Sequence, residues 1–412
     1  MSKNVLYISY DGMTDPLGQS QVIPYLAGLT KEGYSFTILS CEKPERYAAN
    51  KDTISAVLEA ASISWQPILY TKKPPVLSTL YDFYQLKRIA KKLNKHLNFK
   101  LIHCRSYIPA LLGLWFKRKY GIPFLFDMRG FWANERIDGG LWNLKNPIFK
   151  TIYNFFKRKE IEFLNESAGI VSLTEAGKFE IMRWPEVKIN SNKITIIPCC
   201  VDTESFNPVL VSPIKQQEMR NQLGITESDF LLGYLGSIGT WYMLDEMLQF
   251  FAELKKSVTH AKLLFVTQDN AAEIRETANK YGIHDADIII TSAERKQVPL
   301  MISLFSYGLF FIKPAYSKTA SSPTKQGEIM AMGIPVVCNF GVGDTDKIIA
   351  DYNSGLTVIG DKYDDVIQQI VSGIKFDKQS IRAGALDFFS LTNGVKKYKM
   401  IYQDIVDKRD AK

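Results

Sequence analysis

Short apolar runs of strand length alternate with helix-length segments along this chain, and near its middle the alternation starts afresh. That pattern constrains the fold more than any motif does. Continuous apolar strands are buried on both faces, and parallel neighbours need a crossover long enough for a helix. In the first half the strand runs are Val5–Ser9, Ser35–Leu39, Leu101–His103, Phe124–Phe126, Gly169–Leu173 and Ile194–Ile197, with helices over Gln21–Lys31, Leu80–Leu97 and Pro147–Asn165. In the second they are Phe230–Leu235, Ala261–Val266, Asp287–Thr291, Tyr307–Ile312 and Pro335–Cys338, with helices over Met243–Lys255, Asn270–Tyr281 and Pro323–Met332. The pattern predicts an α/β chain of two doubly wound domains. We place them at 1–203 and 204–391, because Pro198–Ser212 is irregular and carries Pro198 and Pro208. A last helix of about 392–412 is free to pack back on the first domain.

The 412 residues, 46% of them hydrophobic, suffice for two cores. No apolar run reaches the length of about 18 residues that a membrane-spanning helix needs. Val5–Ser9 is too short for a signal-peptide core, and Asp11 and Asp15 follow it. The cysteines Cys41, Cys104, Cys199, Cys200 and Cys338 are odd in number and show no CxxC spacing, which argues against a zinc site or a disulfide framework and suits a reducing cytoplasm. The net charge of +8 is uneven: residues 1–200 hold 28 Lys+Arg against 17 Asp+Glu, or +11, and the remainder 23 against 26, or −3. The first half is therefore the one expected to face something anionic.

Doubly wound sheets hold ligands at the carboxyl ends of their strands, so the loops after strands are the places to look. The first, Tyr10–Gln19, has Gly12 and Gly18, with Gln19 and Ser20 opening a helix. Glycine ahead of a helix lets backbone N–H groups approach an anion, although an ordinary flexible loop reads the same way and there is no GxGxxG. The second, Gly236-Ser237-Ile238-Gly239-Thr240-Trp241, has the composition of a phosphate-binding nest. The third runs Ala320-Ser321-Ser322-Pro323-Thr324-Lys325-Gln326-Gly327-Glu328. Here Ser322 is a good N-cap and Pro323 a good first helical residue. Lys325 in the first turn suits a diphosphate, and Glu328, three residues on, can accept hydrogen bonds from a ribose diol; a plain surface ion pair is the alternative. After Phe124–Phe126, Asp127 and Arg129 offer a carboxylate and a phosphate-matching guanidinium, or else a structural pair. His103 ends a strand, and Trp132 and Trp241 follow candidate loops. Each fits core packing as well as a role in binding.

Four ordered segments then carry a resemblance: Gly18-Gln19-Ser20-Gln21; Ile197-Pro198-Cys199-Cys200-Val201-Asp202; Gly233-Tyr234-Leu235-Gly236-Ser237; and Glu328-Ile329-Met330-Ala331-Met332-Gly333-Ile334-Pro335-Val336-Val337. The chain resembles the retaining glycosyltransferases of family 4. That resemblance implies a GT-B fold, two Rossmann-like domains facing across a cleft, and transfer of a sugar from a nucleoside-diphosphate sugar to a hydroxyl acceptor with retention. It implies a donor site on the second domain, expected at Gly236, Ser237, Gly239, Thr240, Lys318, Ser322, Thr324, Lys325 and Glu328, with Gly18 and Gln19 contributing. Arg129, Asp127 and Lys325 are the expected catalytic residues. The acceptor is expected near Tyr10, Asp11, Arg129 and Trp132.

The family commonly pairs two glutamates eight positions apart and sets an Arg and a Lys in the diphosphate loop. Here Ala320 and Ser237 stand at the first glutamate and the Arg, and no Lys occurs between Ser237 and Lys255. Lys318 or Lys325 is then expected to supply the charge. No metal or other cofactor is expected beside the donor. Expected partners are a nucleotide sugar, a sugar or lipid-linked acceptor and an anionic membrane surface, without nucleic acid. The expected setting is the cytoplasm, peripheral to the inner face of the membrane, in cell-surface polysaccharide or glycolipid synthesis. A nucleotide-sugar epimerase on the same fold and a non-catalytic nucleotide-sugar-binding subunit are the alternatives. The first would need a carboxylate and histidine cluster from only four histidines, and the second is favoured by Ala320 and Ser237.

Overall fold

The structure, a computed structural model, describes residues 3–410. It divides into two compact units, one running through Pro198 and taking in the chain from Leu391, the other Cys199–Ser390. The boundary lies at 198/199 rather than 203/204 because the residues between belong to the second unit by their hydrogen bonds. Val201 N–H donates to the Phe389 carbonyl at 2.8 Å, and Arg382 donates to the Thr203 carbonyl at 3.1 Å. The last helix is Leu391–Asp410, and it packs on the first unit through buried Tyr398 and Tyr402. Residues 411 and 412 of the expected helix lie outside the described residues.

The first unit holds a parallel sheet of β1 (Lys3–Ser9), β2 (Tyr34–Glu42), β3 (Ser64–Leu69), β4 (Leu101–Arg105), β5 (Phe124–Asp127), β6 (Gly169–Ser172) and β7 (Ile194–Ile196), in the order β3-β2-β1-β4-β5-β6-β7. The second holds β8 (Phe230–Leu235), β9 (Ala261–Val266), β10 (Ile288–Thr291), β11 (Tyr307–Phe310), β12 (Val336–Asn339) and β13 (Gly355–Val358), ordered β10-β9-β8-β11-β12-β13. All registered pairs are parallel, as near-continuous apolar runs such as Val5-Leu6-Tyr7-Ile8 and Leu263-Leu264-Phe265 require. Strand order reverses between β1 and β4 in one sheet and between β8 and β11 in the other. Such a switch point opens a crevice at the carboxyl ends of the two strands. It puts Tyr10, Asp11 and Arg105 at the first crevice, and Gly236–Thr240 and the stretch after Phe310 at the second. Strands β3 and β13 are additions to the sequence reading, and both lie at a sheet edge. All five cysteines are buried free thiols.

Candidate functional site

In the second unit, β8 delivers Tyr234 and then Gly236, whose φ of +99° only glycine adopts readily. A side chain there would also point at Lys325, since a Cβ would lie 3.7 Å from Nζ. The loop beyond is less open than the nest expected of it. Ile238 N–H donates to the Asp269 carboxylate, and Gly239 N–H donates to Ser237 Oγ at 3.2 Å. Helix Leu244–Ser257 starts only after Met243, so Thr240 does not open it. The protein's own carboxylate thus occupies part of this loop's anion-binding capacity.

Positive charge comes from elsewhere in the chain. Helix Thr324–Ala331 begins with Pro323 as N-cap. Ser322, expected as that cap, instead accepts a hydrogen bond from Cys199 N–H at 3.2 Å, because the start of the unit passes beside the helix entrance. Thr324 takes the first helical position, half-buried. Lys325 is buried, and its ammonium lies 3.5 Å from the centroid of the Tyr242 ring and 4.0 Å from that of Tyr234. Those π faces favour the cation, but among the described residues Nζ has no hydrogen-bond partner. Burial lowers the lysine's pKa well below its usual value, against the pull of Glu328 and Asp269. A buried, unsatisfied donor of this kind is costly. Lys318, also buried, sets its ammonium 3.6 Å from the centroid of Trp241 on the same loop. The structure therefore gathers Gly236–Tyr242, Lys318 and Lys325 at the switch point.

Glu328 follows on the same helix, buried, but its ion-pair partner is Arg295 rather than Lys325. Burial raises its pKa, while Arg295 and then Lys325 act to lower it. Arg295 extends from the loop after β10 and lies 4.6 Å from the Phe206 ring. Sequence reasoning missed Arg295 and Asp269. Both follow strand ends, which was the available signal, yet Glu294-Arg295-Lys296 reads as an ordinary solvated turn.

In the first unit the Tyr10–Gln19 loop is held from inside. The Glu42 carboxylate accepts from Met13 N–H at 2.7 Å, Thr14 N–H at 3.0 Å, and the Thr14 and Ser40 hydroxyls at 2.6 Å each. Those two amides thus bond a carboxylate of the chain itself. Gly18 is demanded by packing, because a Cβ would lie 2.2 Å from the Gly12 carbonyl oxygen. Gln19 donates to the Thr14 carbonyl at 3.2 Å. Tyr10 donates its hydroxyl to buried Asp82 at 3.0 Å, and exposed Asp11 lies 3.6 Å from Arg105.

Asp127 is the centre of a buried polar network. Its Oδ2 accepts from the Tyr398 hydroxyl at 3.0 Å and lies 3.4 Å from His103 Nε2 and 4.0 Å from Arg105. His103 Nδ1 meets the Tyr402 hydroxyl at 2.6 Å. Burial outweighs the pull of Asp127 and lowers the His103 pKa, so the neutral ring fits, with Nε2–H donating to Asp127. Burial also opposes the Asp127 charge, but Arg129, His103 and Arg105 prevail and hold its carboxyl below the usual range. Arg129 itself is half-buried with φ +57°. Trp132 is used in packing. It stacks on Tyr107, meets Trp142 and Phe156 edge-on, and carries the Arg136 guanidinium on its ring.

Two Rossmann-like units, the second with the amines of Lys318 and Lys325 buried at its switch point, define a doubly wound α/β protein. Residues 18–205 match Glycosyltransferase Family 4 and residues 215–382 match Glycosyl transferases group 1; the chain belongs with the GT-B-type glycosyltransferases. Among curated proteins it is similar to EpsD of Bacillus subtilis (strain 168), 23% identical over 199 residues. That match covers 47% of this chain and about half, 48%, of EpsD. Among solved structures, a glycosyltransferase from Rickettsia africae ESF-5 is 16% identical with a TM-score of 0.71, over 98% of this chain and 99% of the other. Anabaena HepE in complex with UDP is 13% identical with a TM-score of 0.70, over 97% and 99%. At such identities these structures speak for the fold. Among the described residues, no helix is long and apolar enough to cross a membrane.

Proposed function

We propose that this chain transfers a sugar from a nucleoside-diphosphate sugar to a hydroxyl acceptor, with retention, in the assembly of a polysaccharide or glycolipid. The buried, unsatisfied Lys325 ammonium beside Gly236 carries this reading. Negative charge builds on the departing diphosphate as the glycosidic bond breaks, and fixed cations in a dry site stabilise it most there. In this reading Lys325 and Lys318 face the diphosphate and Glu328 holds the ribose. Arg129, with Asp127 beside it, serves the reacting groups near Tyr10 and Asp11. The charge comes from side chains, with no resident metal or cofactor. HepE also has a complex with UDP-glucose, which makes uridine nucleotides the first donors to try.

The test is a mass-spectrometric screen of nucleotide sugars with the purified chain, read for released nucleoside diphosphate, with calorimetry for binding. Release of a diphosphate from one donor supports the proposal. Absence of nucleotide binding across the panel overturns it. Binding without turnover would favour a non-catalytic sugar-nucleotide subunit, the reading to which the Arg295–Glu328 pair and the internally bonded loop amides lend weight.

Within this reading Arg129→Lys separates chemistry from binding. The substitution keeps the charge and loses the planar fork. Turnover is expected to fall by about tenfold or more while donor affinity stays nearly constant. Full activity in this variant would make the Asp127–Arg129 loop a structural element.

A further inference from the structure

We propose that the outward face of helix Leu77–Leu97 docks on an anionic lipid membrane. The helix buries Ser78, Asp82, Leu86 and Ala90, which recur every four residues along its inner side. On the outer side Leu77, Leu80, Tyr81 and Tyr84 are 63%, 58%, 54% and 61% exposed. Arg88, Lys91, Lys92 and Lys95, all exposed, continue that stripe at three- and four-residue spacings. Lys72 and Lys73 stand exposed just ahead of the helix. From Tyr70 through Lys100 there are eight Lys or Arg residues and a single acidic one, Asp82, whose side chain is buried. The face is therefore apolar and aromatic in its first half and cationic in its second.

A cationic stripe alone would suit any polyanion. The four large apolar side chains in line with it select a lipid interface. Leucine gains by leaving water for the acyl boundary, tyrosine suits headgroup depth, and lysine stems reach back to lipid phosphates. The anionic surface supplies the attraction, screened over about 8 Å at physiological salt. The inner side of the same helix is tied to the candidate acceptor loop, since Asp82 accepts from the Tyr10 hydroxyl at 3.0 Å and from Thr71 N–H at 3.1 Å. Docking would hold that loop close to lipid-borne acceptors, a consequence that rests on the proposed function, whereas docking itself does not.

Co-sedimentation of the full chain with phosphatidylcholine vesicles, and with vesicles that also contain phosphatidylglycerol, tests this at low and physiological salt. Binding is expected only with the anionic lipid and more weakly at the higher salt. The triple charge reversal Arg88→Glu, Lys91→Glu, Lys92→Glu is expected to lower vesicle affinity by about tenfold or more. The triple Leu80→Ser, Tyr81→Ser, Tyr84→Ser keeps every cation and is expected to weaken binding as well. The proposal is overturned if anionic vesicles are not bound at low salt. It is equally overturned if the serine variant binds them like the parent chain, or if heparin or duplex DNA is bound and vesicles are not. Vesicle binding is read without donor or acceptor, so it stands or fails independently of sugar transfer.

Discussion

Lys325→Ala is expected to weaken the binding of a nucleoside diphosphate by roughly ten- to a hundredfold while leaving the corresponding nucleoside nearly unaffected. A hydrogen bond to a charged group contributes about 1.5–3 kcal/mol, and each 1.4 kcal/mol is about tenfold. The contrast between the two ligands is the informative part. Among the described residues Lys325 Nζ has no hydrogen-bond partner, so removing it strips none of them of a bond. The aromatic faces of Tyr234 and Tyr242 lose a cation but remain packed. Calorimetric titration of both ligands settles it. Equal losses for the two would move the charge to another residue, with Lys318 the next candidate.

A pH dependence follows with a definite sign. Burial holds the Lys325 pKa well below its usual value in the free protein, and a bound diphosphate would raise it. Binding should then draw a proton to the amine. Affinity should be greatest where Lys325 is already protonated in the free protein and should decline as pH rises through its depressed pKa. Titration in buffers of different ionisation enthalpy reads the proton uptake directly, and Lys325→Ala should abolish it. Uptake that persists in the variant would assign the proton to another group.

Two strands escaped the sequence reading, and both lie at sheet edges, although the opposite edge strands β7 and β10 were read. Ser64–Leu69 contains Pro67, which can donate no ladder hydrogen bond and is tolerated at an edge. Gly355–Val358 is four residues long and opens with glycine. Neither carries an apolar run like that of β1 or β9. Lys325 and Lys318 were legible because both lie in the stretch of chain that follows β11. Their surroundings were not. Arg295 meets Glu328 across 33 positions, Asp269 meets Ile238 across 31, and Glu42 meets Met13 across 29. Only the fold makes those pairs. Each of them changed a local reading: the alternative Lys–Glu ion pair gave way to an Arg–Glu pair, and two glycine-containing loops acquired internal carboxylates.

Glu328→Gln is expected to lower nucleoside-diphosphate affinity by at least about tenfold, and the loss should vanish for the 2′,3′-dideoxy analogue. The carboxylate is buried at the site, and Arg295 takes one of its oxygens, Oε1. The other can still accept from a ribose hydroxyl, and Arg295, about half exposed, is free to turn outward when a diol arrives. Bonds to a charged acceptor contribute about 1.5–3 kcal/mol against about 0.5–1.5 for a neutral one, so an isosteric amide should forfeit roughly 1.4 kcal/mol or more over two bonds. The melting temperature should barely move. Arg295 is solvated enough to lose its partner cheaply, and burial already disfavours the Glu328 charge. Arg295→Met supplies the control. Both variants lose the ion pair, but only Glu328→Gln loses the charged acceptor, so any effect common to the two belongs to the pair. A deficit in Glu328→Gln alone, seen with the ribonucleotide and absent with the dideoxy analogue, assigns the ribose to Glu328. Equal deficits for the two nucleotides would remove Glu328 from ribose binding and leave it as the anchor of the Arg295 loop.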